Sequence, residues 1–456
     1  MLPDTLPALL AQRINNGAAP ALVERGRPVS YRELEGESRR VARGLQQLGV
    51  RAGDCVALWL PSVPAWLAVF FACAQLGAIA VSVNTRFRGH ELADILRRSQ
   101  ARLLVFWPKF KGIDFAGVLA DCPAEALRQL AAIVVYDEAG AAAPAAIAGK
   151  RTISYARLAS SAPLAESRAA PDAGCAIFTT SGTTKAPKFV LHDQRNVLRH
   201  AFDVAKGFAL DADATLLLAP PLCGVFGFCG AMAAIAAGRP LVMAPAWSAE
   251  QAARDLVAHR VTHAIGTDEA CAQLLDCHAD FSSLRMFGYA AFNPAQGDIV
   301  QRADARSLKL VGLYGASEVQ ALFSRQDERA PVAERMLGGG LPVSATARVR
   351  ARDPESGAIL PHGEQGELEF LAPASRMAAY HGDPAATRDA FTGDGYYRSG
   401  DLGTTLADGR FIFLTRLGDA LRLGGFLVSP AEIEAVVQEA PGFAACQVVA
   451  VPRAAG

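Results

Sequence analysis

The chain has no run of five basic residues, no C-x-x-C pair, no G-x-x-x-x-G-K-[ST] loop and no long apolar segment free of interruption. Each absence removes a class of function. Lys+Arg 45 balances Asp+Glu 45 for a formal net charge of zero, which removes the electrostatic basis for holding nucleic acid or an anionic membrane. Any phosphate chemistry must therefore be local. Nine cysteines, odd in number and without paired spacing, read as reduced thiols packed as small hydrophobes, not as a disulfide frame or a cysteine-rich zinc site, and point to the cytoplasm. The N-terminus carries Asp4 and no basic stretch ahead of an apolar one, so it does not read as a secretory signal. Ala65 to Val83 comes nearest to a membrane span. Gln75 and Gly77 interrupt it and alanines dilute it, so no stable span is expected, and it reads as a buried helix ending near Gly77 followed by a core strand.

What the chain does carry is a hydroxyl-rich loop. Residues 177–192 read Ile-Phe-Thr-Thr-Ser-Gly-Thr-Thr-Lys-Ala-Pro-Lys-Phe-Val-Leu-His, and the apolar run from Cys175 to Phe178 empties into a stretch that closes at Pro187-Lys188. Gly182 lets backbone approach an anion, Thr179, Thr180, Ser181, Thr183 and Thr184 add hydroxyls beside their amides, and Lys188 adds a point charge. A solvated Ser/Thr/Gly linker has the same composition. Three segments nearer the C-terminus separate the two readings: Tyr314-Gly315-Ala316-Ser317-Glu318, Ser399-Gly400-Asp401-Leu402-Gly403 and Arg416 to Glu434 come after the loop in order.

At 456 residues the chain exceeds one compact core. Short apolar runs (Val56 to Leu60, Leu103 to Phe106, Ala132 to Val135, Thr215 to Ala219, Pro240 to Ala244, Lys309 to Leu313) alternate with helical patterns such as Tyr31 to Leu48 and Ala249 to His259. That alternation predicts an α/β fold with mainly parallel sheets. Connections rich in alanine at Gly140 to Gly149 and Leu158 to Ala173 separate two lobes, about 1–165 and 166–340. After Gly338-Gly339-Gly340, strands at Ala345 to Arg350, Gly366 to Leu371 and Phe411 to Leu414, with a turn at Asp408-Gly409, predict a small β subdomain over about 341–416. A strand-turn-helix, Leu421 to Val437, and an apolar strand, Cys446 to Val451, open an α+β unit over 417–456.

The four ordered motifs together resemble the AMP-forming acyl and aryl acid ligases, the superfamily of acyl-CoA synthetases, luciferases and peptide-synthetase adenylation domains. The resemblance runs from Ser30-Tyr31-Arg32-Glu33-Leu34 to Glu432-Ile433-Glu434. It implies a large adenylate-forming domain, residues 1–416, and a small mobile C-terminal domain of which 417–456 is the start. The stretch that completes that domain in the family, with a lysine near the reacting α-phosphate and carboxylate, has no counterpart here, so the C-terminal domain is expected to be truncated and adenylation slow. ATP, Mg²⁺ and coenzyme A are the implied cofactors, and a small-molecule carboxylic acid the implied substrate.

Joining two anions at a five-coordinate phosphorus calls for cations and preorganised donors. By resemblance, Ser181 to Lys188 wrap the β- and γ-phosphates, and Thr183 or Thr184 sits near the magnesium. Glu318 is the natural hard oxygen ligand and Tyr314, flanked by Gly315 and Ser317, a flat surface for adenine. Thr184, Lys188 and Glu318 are thus the catalytic candidates. Asp401 can accept both ribose hydroxyls with Arg416 beside it, and Gly424-Gly425 resembles the place in the family where pantetheine runs along the backbone.

The acyl pocket is read from Cys223, Phe226, Gly266, Gly288, Tyr289 and Ala290 as apolar and uncharged, with Asp268 the nearest acid in sequence. It favours an apolar aliphatic or aromatic acid. His259 and His263 have the spacing of a metal pair, but no third ligand suggests itself, and with His192 they read as core or surface histidines. Lys185, Phe189, Gly224, Gly418 and Arg422 depart from the family pattern. Two alternatives stand beside coenzyme A ligation: loading of a carrier protein's pantetheine, and a catalytically impaired protein that still binds nucleotide or acyl-adenylate.

Overall fold

The computed structural model describes residues 2–15, 19–180, 187–277, 279–292 and 296–418, together with 421–423, 426–428, 430, 433, 434, 437 and 446–448. Two large sheets organise them. The nine-stranded sheet runs Ala379–Tyr380, Phe189–Asp193, Gly174–Thr179, Ile79–Ser82, Cys55–Trp59, Leu103–Phe106, Ala132–Val135, Lys150–Ser154 and Ala146–Ile147, parallel through its centre and antiparallel at both edges. The thirteen-stranded sheet begins Arg27–Ser30, Pro20–Glu24, Leu241–Met243, Leu216–Leu218, His263–Thr267, Met286–Ala290 and Leu310–Ala316, parallel from Pro20–Glu24 onward. It then continues antiparallel through Gln320–Arg325, Gly338–Pro342, Phe411–Arg416, Tyr397–Thr405, Gln365–Leu371 and Arg348–Arg352. The β subdomain therefore extends the second sheet instead of standing apart from it. The sheets also interleave in sequence and do not divide at residue 165. Pro20–Ser30 joins the second sheet and Gly174–Asp193 the first, because strand pairing between distant segments leaves no local signature.

Helix Pro64–Leu76 packs on the nine-stranded sheet and Val225–Ala237 on the thirteen-stranded one, while Gln194–Gly207 touches both. The first is apolar on every side and buried from Ala65 to Leu76, as a helix enclosed by protein must be. Proline opens it and Gly77, at φ +68°, closes it. Trp66, Phe70, Phe178 and Phe228 form the aromatic centre of this inter-sheet core. Helix Tyr31–Gln47 starts on a reciprocal cap, with the Glu33 amide donating to Ser30 Oγ and the Ser30 amide to the Glu33 carboxylate. No helix among the described residues is long and apolar enough to cross a membrane. All nine cysteines are free, seven of them buried.

The run Gly338-Gly339-Gly340 is a strand, not the break the sequence suggests. At φ +113° and +90°, Gly339 and Gly340 let the chain pass where a Cβ would lie 2.2 Å from the Phe411 carbonyl oxygen and 2.1 Å from that of Arg325. Only glycine fits between the neighbouring strands Gln320–Arg325 and Phe411–Arg416 at that separation.

Candidate active site

The phosphate-loop candidate leaves one antiparallel strand and returns in the next. Thr179 pairs with Phe189, the Thr180 amide donates to the Lys188 carbonyl at 3.0 Å, and the Lys188 amide donates to Thr180 Oγ1 at 3.1 Å. These bonds close the neck of the loop. Ser181, Gly182, Thr183 and Thr184 lie outside the described residues, as do Gly424 and Gly425. Arg98 braces the loop's exit, donating to the Pro187 carbonyl at 2.7 Å with its guanidinium 4.2 Å from the Phe189 ring centroid. Phe189 thus serves as the platform for that arginine.

Strand Leu310–Ala316 delivers Glu318 through a single 3₁₀ turn, Ser317–Val319. The turn is held from three sides. His192 Nε2 bonds the Ser317 carbonyl at 2.9 Å, the Met377 amide donates to the Glu318 carbonyl, and Gln320 Nε2 donates to the carbonyls of Asn196 and Ser375. Gln320 takes φ +63° and ψ 149°, a region non-glycine residues rarely occupy, and Leu322 is also left-handed. The returning strand bulges at this point, and a Cβ on Gly315 would lie 2.6 Å from the Ala321 Cα. Glu318 is buried, and its Oε1 accepts from the Tyr380 hydroxyl at 2.8 Å. Lys188 reaches the same hydroxyl at 3.4 Å.

Asp401 and Arg416 are register partners on neighbouring strands. Asp401 is 1% exposed and accepts from the Tyr314 hydroxyl at 2.5 Å through Oδ2. Arg416 Nη1 lies 3.0 Å from Oδ1, but its N–H is not directed at that oxygen, which is left without a hydrogen-bond donor. Burial pushes the Asp401 carboxyl up to about 6, only partly offset by the Arg416 charge and the Tyr314 bond. An orphaned acceptor on a buried carboxylate fits a sugar diol. Tyr314 departs from the expected flat surface for adenine. Its ring is buried with Phe370, Phe411 and Phe413 at 5.2 to 5.6 Å, because residue 314 faces the core of the β subdomain.

No group of three His, Cys, Asp or Glu among the described residues lies close enough to hold a metal alone. Glu318 supplies one carboxylate, which suits a cation such as Mg²⁺ that takes one or two carboxylates and completes its shell with phosphate oxygens and water.

The six acyl-pocket candidates do not share a wall. Side chains alternate along a strand, so Gly288 and Ala290 face one side of the second sheet and Tyr289 the other. A Cβ on Gly288 would meet Leu313 and Phe208, whereas Gly266, in register with Tyr289, faces Phe287. Tyr289 is spent in the opposite core, its hydroxyl donating to the Met336 carbonyl. Cys223 is buried, its thiol pushed up to about 11, and its carbonyl accepts from Ser82. Phe226 is half-buried at the start of helix Val225–Ala237. Asp268 is buried, accepting from the Phe292 amide. His192 and His263 are buried, and His259 lies 3.9 Å from Asp255.

Lys188 and Glu318 thus meet at the Tyr380 hydroxyl, and Tyr314 and Arg416 flank Asp401. Tyr380 and Arg98, which complete the arrangement, carry no motif of their own.

The profile of the family described as AMP-binding enzyme matches residues 11–380. A feruloyl-CoA synthase from Amycolatopsis sp is 31% identical over 443 residues, covering 95% of this chain and 83% of that protein. A 3-hydroxybenzoate--CoA/4-hydroxybenzoate--CoA ligase from Thauera aromatica is 29% identical over 460 residues, covering 97% and 82%. The anthranilate CoA ligase AuaEII, solved in complex with anthranoyl-AMP, superposes with a TM-score of 0.84 at 24% identity, covering 99% of this chain and 86% of that one.

Proposed function

The chain belongs to the AMP-binding enzyme family, and from that premise we propose that it is an AMP-forming acyl-CoA synthetase acting on an apolar aliphatic or aromatic carboxylic acid. A carboxylate oxygen of the acid attacks the α-phosphorus of ATP and expels pyrophosphate. The coenzyme A sulfur then attacks the acyl carbonyl carbon, and AMP leaves with the electrons of the broken C–O bond.

One observation supports the site assignment above others: Lys188 and the buried Glu318 share the Tyr380 hydroxyl, and Asp401, a second buried carboxylate with an unfilled oxygen, lies near enough for its charge to interact with that of Glu318. In this reading Asp401 accepts the ribose hydroxyls with Arg416 beside it. Tyr314 orients that carboxylate, and Gly315 and Ser317 shape the turn. The loop residues Thr180, Ser181, Gly182, Thr183 and Thr184, with Lys188, take the phosphates. Glu318 and Thr184 would hold the magnesium, which supplies neutralisation of phosphate charge. Gly424 and Gly425 line the thiol's path. Residues 1–416 make up the adenylate-forming domain, and 417–456 open the smaller one. Cys223, Phe226, Gly288 and Ala290 carry no charge, which agrees with the aromatic acids in the names of the two relatives.

Pyrophosphate release should be measured across a panel of aliphatic and aromatic acids, with thioester formation followed for coenzyme A and for a carrier protein. Release that depends on one acid subset, with thioester on coenzyme A, is expected. Glu318→Gln, which keeps size and removes charge, should lower release by about 10²–10³. Acid-independent release, or an undiminished rate in the variant, would overturn the assignment.

A further inference from the structure

Tyr380 touches both charged side chains of the proposed phosphate site. It lies in the two-residue strand Ala379–Tyr380, at the edge of the first sheet in register with Val190, and is 3% exposed. Its hydroxyl donates to Glu318 Oε1 at 2.8 Å, while the Lys188 Nζ sits 3.4 Å from the same oxygen and 4.4 Å from the ring centroid. One phenol thus accepts from an ammonium and donates to a carboxylate. The backbone that carries the ring is pinned on both sides. The Tyr380 amide donates to Thr387 Oγ1 at 2.9 Å, the His381 amide to the Phe189 carbonyl at 2.8 Å and the Met377 amide to the carbonyl of Glu318 itself. Among the described residues no direct ion pair joins Lys188 to Glu318, although both reach one oxygen. Opposite charges that near each other would close up if nothing stood between them.

We propose that Tyr380 is a positioning residue, whose ring and hydroxyl keep Lys188 and Glu318 from neutralising one another, so that the cation stays available to a nucleoside triphosphate and the carboxylate to a divalent cation. The identity of those ligands rests on the ligase reading; the spacing of the two side chains does not.

Tyr380→Phe keeps the ring and removes the hydroxyl. Its crystal structure is expected to show Lys188 Nζ within bonding distance of a Glu318 carboxylate oxygen, and an unchanged separation would overturn the proposal. Calorimetry with divalent cations chelated provides the second arm. ATP should bind the variant roughly five- to tenfold more weakly, because Lys188 must first leave Glu318, while AMP, held at Asp401, should change less than about twofold. In a Glu318→Gln background no carboxylate remains to capture the lysine, and Tyr380→Phe should cost nothing further. A penalty of equal size in both backgrounds, or equal for AMP and ATP, marks a merely structural tyrosine and sinks the proposal. Wild-type protein that binds neither nucleotide counts against the ligase reading instead, and the variant's structure then decides the spacing by itself.

Discussion

A carboxylate as enclosed as Asp401 gives up its hydration, and its affinity for protons rises until it titrates near 6. The direction of the effect on folding comes from that rise. The folded state holds the proton more tightly than the unfolded chain, so Asp401 favours folding below the usual carboxylate value, and that advantage is lost as pH climbs through about 6. Binding runs the other way, since only the ionised form accepts two ribose hydroxyls. AMP affinity should rise about tenfold between pH 5 and pH 7.5, and Asp401→Asn should bind weakly with a flat profile. Calorimetry across that range checks both; a flat wild-type profile would remove Asp401 from the ribose. Lys188, Glu318 and Asp401 were legible in the sequence because each sits in a short motif whose glycines and hydroxyls have a chemical reason to be together. Tyr380 was not, because its importance comes from contacts with residues 62 and 192 positions away. Tyr289 was misplaced for a simpler reason: a three-residue string names neighbours in sequence, and a strand sends them to opposite faces.

At the level of elements, the strand Gly338–Pro342 makes the sharpest demand. A methyl group at Gly340 meets the Arg325 backbone and also a left-handed φ, whereas Gly363, with φ +90°, has open space around it. Gly340→Ala should therefore lower stability by about 3 kcal/mol or more, and Gly363→Ala by only about 1 kcal/mol, the backbone strain alone. Urea unfolding of the two variants against wild type tests the difference; similar losses would show that the close approach at Gly340 relaxes freely. Helix Pro64–Leu76 and strands Leu103–Phe106 and Ala132–Val135 were readable from periodicity and composition. The glycine run was not, since glycine lowers strand propensity and signals a turn unless a close backbone approach requires it.

Over the whole molecule, three buried histidines set the acid limit. His192, His200 and His263 are held neutral by burial, each pushed down to about 4. Their folded-state values lie below the unfolded one, so their contribution is complete above about 6.5 and is lost as pH falls toward 4. At pH 5 each costs about 2 kcal/mol, which outweighs the opposite contribution of Asp401. The urea midpoint should fall clearly between pH 7 and pH 5. His200→Gln, which can still donate to the Ala321 carbonyl, should show a shallower fall. An equally steep fall in that variant would place the acid sensitivity elsewhere.

The interleaving of the two sheets has a further consequence, in the order of synthesis. The hairpin Pro20–Ser30 pairs in the finished protein with Leu241–Met243, which the ribosome makes much later. At roughly 5–20 residues per second, the interval between Ser30 and Leu241 lasts on the order of ten to forty seconds. Throughout it, the strand carrying Ala21, Leu22 and Val23 emerges with one backbone edge unpaired. A nascent chain of this protein is thus most vulnerable to association with its neighbours on the polysome, before its own partner strand exists.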